Sequence, residues 1–246
     1  MLPASLVPPG ALLIHGFTAT PECMESLAKP LKTAGFNVRA PLLPGHGTKP
    51  EDLLKTTWQD WYGAVLDEFD LLKKKSARVC VAGLSLGGLL GLHLASERPV
   101  DHLALLATPV FFKGWMARLV LPVLAKTPLH DLYRYQKKWM GAAISDPWGK
   151  RYFRSYDEMP IRSIWEIVKL QEIVRSELAS LRPPTLIIHS PHDITAPYEN
   201  MEFLKKHLGS PVVKTVTLQK SNHVLTMDYE RDLIAQEVVR FFGGLV

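Results

Sequence analysis

The sequence predicts an α/β protein with a mostly parallel central sheet and helices on both of its faces. Two observations carry this. Short apolar runs alternate along the chain with longer segments of helical period, a rhythm that belongs to βαβ units. The apolar runs do not themselves alternate with polar residues, so each reads as a strand buried on both faces.

Taken in order, "ALLIHG" (11–16) is a short buried strand. "PECMESLAKPLKTAG" places Met24, Leu27, Ala28 and Leu31 on one helical face and ends at Gly35, a fitting residue for a left-handed helix stop. "NVRAPLL" (37–43) is a strand. "TTWQDWYGAVLDEFDLLKKK" aligns Trp58, Trp61, Tyr62, Val65, Phe69 and Leu72 on one side, with lysines at the C-terminal end where the helix dipole favours cations. "RVCVAGL" (78–84) is a strand, Leu86–Glu97 a helix and "HLALLAT" (102–108) a strand. Strand "PTLIIHS", helix "NMEFLKKHLG", strand "VVKTVTL" and a helix over 229–242 follow.

Residues 110–180 break this rhythm and read as helical. The window 111–160 holds nine Lys/Arg against four Asp/Glu, an excess equal to the net charge of the whole chain, +5. It also holds ten of the 22 aromatic residues, among them Trp115, Trp139 and Trp148. So long an insertion between strands that must lie side by side predicts a lid over a site, with 1–109 and 181–246 forming the core. "FFKGWMARLVLPVLAK" (111–126) mixes apolar bulk with cations in the manner of an amphipathic helix, which suits transient contact with a lipid interface.

Composition bounds the rest. The 246 residues are 47% hydrophobic, which supplies a large core, and 22% charged with both signs present. No feature calls for a nucleic-acid partner. The two cysteines, Cys23 and Cys80, have no zinc-like spacing and fit a reducing, cytoplasmic setting. The first residues lack the charged start of a signal peptide, and no apolar run has transmembrane length.

The chemistry begins at "VCVAGLSLGGLLG" (79–91), where Gly83-Leu84-Ser85-Leu86-Gly87 fits G-x-S-x-G. One reading makes Ser85 a helix cap. The other makes it a nucleophile on a strained strand-to-helix turn, with small residues two before and two after so that strand and helix can approach. A serine hydroxyl needs a base within hydrogen-bond reach, and the base needs a carboxylate to orient it. "TLIIHSPHDITAP" puts Asp193 just after one late strand, and "TVTLQKSNHVLTMD" puts His223 just after another. In open α/β sheets both places lie at the edge where sites form. His192 shares the turn of Asp193 and reads as structural; Asp228 reads as an N-cap of the last helix. His15 is expected to shape a turn and His46 to fix a loop. An oxyanion needs two preorganised N–H donors. Leu86, at the helix start, and Phe17, in the loop after the first strand, are the expected pair.

"LLIHGFTATP", "PGHGTKPEDLLKTTWQDW", "VAGLSLGG", "HDITAP" and "SNHVLTMD", in this order and spacing, resemble the bacterial carboxylesterase and monoacylglycerol lipase group of the α/β-hydrolase superfamily. The resemblance covers nearly the whole chain and is weakest over 111–155. It implies an α/β-hydrolase fold with a helical lid. It implies a serine hydrolase that cleaves carboxylic esters of short to medium acyl chains, monoacylglycerols among them, without metal or cofactor. Ser85, Asp193 and His223 then form the catalytic triad, and Phe17 and Leu86 the oxyanion donors. Asp157, in "YDEMP", corresponds to an acid that faces the alcohol side of the pocket. Thioester or carbon–carbon hydrolysis by the same triad, and a ligand receptor on a hydrolase fold, stand as alternatives.

Overall fold

A computed structural model describes residues 7–112, 123, 127, 134–138 and 141–244. The strands are β1 (Gly10–Ile14), β2 (Asn37–Arg39), β3 (Val79–Leu84), β4 (His102–Leu106), β5 (Tyr135–Lys137), β6 (Glu158–Pro160), β7 (Thr185–His189) and β8 (Val213–Thr217). The helices are α1 (Glu25–Thr33), α2 (Pro50–Leu53), α3 (Trp58–Lys73), α4 (Leu86–Glu97), α5 (Pro147–Tyr152), α6 (Ile161–Glu177), α7 (Glu199–His207) and α8 (Arg231–Phe242). Six strands form one sheet in the order β2-β1-β3-β4-β7-β8, and every neighbouring pair is parallel. All six are the strands expected from the apolar runs.

Each face of the sheet supports its own core. Leu12 and Ile14 of β1, Val79 and Val81 of β3, Leu103 and Leu105 of β4 and Ile187 of β7 pack with residues of α3, α4, α6 and α7. The alternate residues Ala11, Leu13, Cys80, Ala82, Ala104, Leu106, Leu186 and Ile188 face α1 and α8. This second face is rich in small side chains, and it receives the bulky Phe241 and Phe242 of α8, both fully buried. Such aromatic and aliphatic side chains each contribute about 1.5–3 kcal/mol on burial. Helix α3 buries Trp61, Tyr62, Val65, Phe69 and Leu72 as its periodicity predicts, and a capping box of Thr57 and Asp60 starts it. Gly35 follows α1 with φ of 87°, the left-handed stop its position implied.

Strand order places the site. β1 leads to the sheet edge at β2, and the chain returns to β3 on the other side of β1. The reversal opens a crevice beyond the carboxyl ends of β1 and β3, where the two following connections diverge. The residues after β1 and the turn after β3 meet there.

The insertion departs from the sequence reading. It is not helical throughout: β5 and β6 pair antiparallel, with Gln136 opposite Met159. Three residues a side, one of them Pro160, are too few to leave an alternation signal. An isolated bridge between Ala19 and Ser155 joins the insertion to the segment after β1. Most of the amphipathic stretch 111–126 lies outside the described residues. Among those described, no helix is long and apolar enough to cross a membrane.

The turn at Ser85 explains the glycines around it. A Cβ on Gly83 would sit 2.1 Å from the Gly87 carbonyl oxygen, and one on Gly87 would sit 2.1 Å from the Ile14 carbonyl oxygen. Both obstacles are backbone and cannot rotate away. Gly87→Ala is therefore expected to lower the unfolding free energy by about 3 kcal/mol or more, or to prevent folding. Gly63, inside α3 with open space around it, gives the contrast. Gly63→Ala should raise stability by about 0.5–1 kcal/mol. Urea unfolding of the two variants beside the parent checks both signs.

Candidate active site

Ser85 links the last residue of β3 to the first of α4 with φ of 53° and ψ of −113°. A serine held there is strained, and such strain persists only where neighbours over-determine it. Here they do. The Ser85 N–H donates to the Leu106 carbonyl (2.8 Å), and its own carbonyl accepts from the N–H groups of Gly88 (2.9 Å) and Leu89 (3.3 Å). Ser85 occupies the N-cap position of α4, yet its side chain makes no capping bond. The hydroxyl instead lies 2.9 Å from His223 Nε2.

His223 Nδ1 donates to Asp193 Oδ2 at 2.7 Å. That carboxylate fixes the tautomer, because the nitrogen facing it must carry the proton and Nε2 is left to accept from Ser85. The three side chains expected from separate loops thus form one hydrogen-bonded chain.

Asp193 is fully enclosed. Its Oδ1 accepts from the N–H groups of Thr195 and Ala196, both at 2.8 Å, and its Oδ2 from His223 and from His189 Nε2 at 3.2 Å. Burial pushes its pKa up, but His223, His189 and the Ala196 N–H outweigh it and hold the carboxyl well below the usual range. His189 was not singled out from sequence. It ends β7, and the same Nε2 lies 3.1 Å from the Ala196 carbonyl, so its single N–H is shared between that oxygen and Asp193.

Asp228 does not cap α8; Glu230 holds that position. Asp228 is buried, and its carboxylate accepts four backbone N–H groups, those of Ser145, Asp146, Asn222 and Tyr229. Glu230 accepts the N–H groups of Gln219, Lys220 and Ser221. Asn222 joins the two site loops: its Oδ1 accepts from the N–H of His223 (2.9 Å) and from that of Ile194 (3.2 Å). Ser190 adds a hydrogen bond to the Ser221 carbonyl. The histidine loop is therefore tied on three sides.

Gly16 packs against Ser85, since a Cβ on it would lie 3.6 Å from the Ser85 Cβ. Phe17 follows and lines the cavity with Leu86. Among the described residues neither backbone N–H has a backbone acceptor. Leu86 is the first residue of α4, where helical N–H groups point outward and the dipole favours negative charge. Both residues line the cavity that Ser85 also lines.

His15 and His46 sit behind this turn. His15 is fully buried, accepts the Leu43 N–H at Nε2 (3.1 Å) and donates from Nδ1 to the Gly16 carbonyl (2.9 Å). It shapes the turn as expected and is neutral: burial, then the neighbouring His46, lowers its pKa to about 3. His46 donates to the Pro44 carbonyl (3.1 Å), and burial lowers its pKa to about 4. Its ring meets those of Phe17 and Trp61 edge-on. His192 is exposed.

A cavity of about 880 Å³ opens over Ser85 and His223, within the size range of small-molecule sites. Its wall is largely apolar, with Phe112, Met159, Ile161, Ile164 and Ile167 contributed by the insertion and α6. Asp157 is exposed and does not line it; a half-buried cation, Lys138, does. Tyr156 pins the 45–48 loop to the insertion, donating to the Gly45 carbonyl and accepting from the Thr48 N–H, each at 2.9 Å. Among the described residues no group of three or more His, Cys, Asp or Glu is arranged to hold a metal.

Residues 11–237 match the alpha/beta hydrolase family. The chain is 33% identical to the thermostable monoacylglycerol lipase of Bacillus sp. (strain H-257), over 96% of this chain and 91% of that protein. It is 27% identical to the carboxylesterase of Bacillus subtilis (strain 168), over 95% and 92% of the two chains. A solved structure described under the metagenome-derived lipolytic enzymes LipS and LipT superposes with a TM-score of 0.89 at 27% identity, covering 96% of this chain and 94% of that one.

The two buried imidazoles make stability pH-dependent. An unfolded histidine takes up a proton as pH falls through 6.5, while folded His15 and His46 stay neutral down to about 3 and about 4. Their contribution is thus complete above pH 6.5 and is lost as pH falls. Below the ordinary carboxylate range, protonation of Asp193 removes more. Two protons taken up on unfolding correspond to about 2.7 kcal/mol per pH unit, or about 3–4 kcal/mol between pH 7 and pH 5. Urea midpoints measured across that interval should fall accordingly; a flat profile is the contrary result.

Proposed function

Because this chain belongs to the alpha/beta hydrolase family, and because Ser85, His223 and Asp193 form one hydrogen-bonded chain beneath the cavity, we propose that it hydrolyses carboxylic esters of short to medium acyl chains, monoacylglycerols among them. The observation that carries the reading is Ser85 Oγ 2.9 Å from an imidazole nitrogen whose partner nitrogen is committed to a buried carboxylate. The relatives named monoacylglycerol lipase and carboxylesterase support the substrate class.

In this mechanism Ser85 Oγ attacks the ester carbonyl carbon as its proton passes to His223 Nε2. The carbonyl oxygen gains the negative charge and accepts from the N–H groups of Phe17 and Leu86. The tetrahedral intermediate collapses, the bond from carbon to the alcohol oxygen breaks, and His223 returns its proton to that oxygen. Water then attacks the acyl-enzyme with His223 again as base. The acid leaves, and Ser85 recovers its proton. Asp193 stays ionised throughout and stabilises the imidazolium. Residues 110–180 serve as the cap that shapes the acyl pocket and excludes water.

Ser85→Ala should abolish labelling by a fluorophosphonate and lower kcat by a factor of about 10³–10⁶, leaving what the oxyanion donors and binding supply. Labelling that persists at another serine overturns the assignment.

His223→Ala should be nearly inactive, while His192→Ala, altering an exposed ring, keeps most activity. Steady-state kinetics on p-nitrophenyl esters read both; the reverse ranking removes His223 as the base.

A further inference from the structure

Among the described residues, two cations of the insertion, Lys137 and Lys138, line the cavity, and Lys138 is the less exposed of the two. Lys138 follows β5, and its side chain lines the same space as Ser85 and His223. Its Nζ donates to Thr18 Oγ1 at 2.7 Å and to Ser155 Oγ at 3.1 Å. Both acceptors are neutral hydroxyls. An ammonium has three N–H donors, so one remains. Among the described residues no carboxylate lies within 4.0 Å of Nζ. Asp157 favours the charge from outside the cavity, but burial outweighs it and lowers the lysine pKa to about 8.

The other ionisable groups along the wall do not compensate. Lys137 is exposed and 3.9 Å from Glu158, and Glu199 is exposed at the start of α7. The Asp193 carboxylate is occupied by four donors. A cation partly withdrawn from water, with no carboxylate in direct contact, is costly, and an incoming anion relieves that cost. Lys138 also sits at a defined place relative to the reaction. Thr18, which it holds, follows the oxyanion donor Phe17 directly and has a left-handed backbone, φ of 64°.

We propose that Lys138 is an anion receptor within the cavity, and that the preferred substrates are esters bearing a carboxylate or phosphate group a short tether from the reacting carbonyl. This rests on the ester-hydrolase reading and specifies its substrate class. The third N–H of Nζ meets the anion, while the other two keep the ammonium beside the Thr18 turn. The apolar wall accepts the remaining chain.

Matched pairs test it: monoethyl glutarate against ethyl pentanoate, and 1-lauroylglycerol 3-phosphate against 1-lauroylglycerol. The full chain, Lys138→Met and Lys138→Arg are compared, each normalised by fluorophosphonate titration of active sites. In the parent, kcat/KM for the anionic member of at least one pair should exceed that of its neutral partner about tenfold or more. The pair that responds identifies carboxylate or phosphate. Lys138→Met should erase the ratio, and Lys138→Arg should keep most of it. A parent ratio near one in both pairs, or a preference that survives in Lys138→Met, overturns the proposal and leaves Lys138 as a brace for the turn. If Lys138→Met does not fold, inhibition of ethyl pentanoate hydrolysis by glutarate but not by glutaramide supports the receptor, and equal inhibition overturns it. No hydrolysis of any of the four esters, with Ser85 unlabelled, overturns the ester-hydrolase reading instead.

Discussion

The site depends on a crossing of backbones. The first turn of α4 lies so close to the end of β1 that Gly87 has no room for a single carbon against the Ile14 carbonyl, and β3 leaves no more at Gly83. That approach accompanies the positive φ of Ser85 and brings the segment after β1 alongside, so that Gly16 packs on the Ser85 Cβ. A looser crossing would leave the Ser85 hydroxyl and the segment after β1 without a common centre. Hydrogen bonds from Ser85 to β4 and within α4 hold the strained residue in place.

Around this rigid centre, carboxylates organise the loops. Asp193, Asp228 and Glu230 together accept nine backbone N–H groups. Loops at a sheet edge have many such donors and no strand to satisfy them. A buried carboxylate satisfies several at once and fixes the chain as it does so. The three differ in what they add. Asp193 also accepts from two imidazoles, Asp228 joins the histidine loop to residues 145–146, and Glu230 holds the approach to it. Asn222 bridges between the aspartate and histidine loops.

Much of this was legible in the sequence. The six sheet strands show as unbroken apolar runs because both faces are buried. Ser85, Asp193 and His223 were readable because each follows a recognisable strand and one ordered pattern joins them. The failures share a cause. Asp228 looked like a cap because it precedes a helix, but its partners include residues more than 80 positions earlier. His189 hid in an apolar run, where a polar residue at a strand end is the only hint. Asn222 stood beside the histidine that drew attention. The β5–β6 pair is too short to impose a period, and Lys138 was one cation among nine in its window. Local patterns report local structure; contacts made by one side chain across the fold leave no periodicity.

The parallel sheet has a further consequence, for the order of events during synthesis. The imidazole that Ser85 meets lies 138 residues further along the chain. Ser26 of α1 donates to the carbonyl of Thr226, and Arg78 before β3 to that of Phe242. These closures span 200 and 164 residues. Non-local pairings of this kind form slowly and late. A nascent chain that has released only β1, β3 and α4 from the ribosome therefore holds Ser85 without β4, which accepts its N–H, and without His223 or Asp193. The hydrogen-bonded chain of Ser85, His223 and Asp193 forms only once the segment through His223 has docked, so it marks a late stage of folding rather than its beginning.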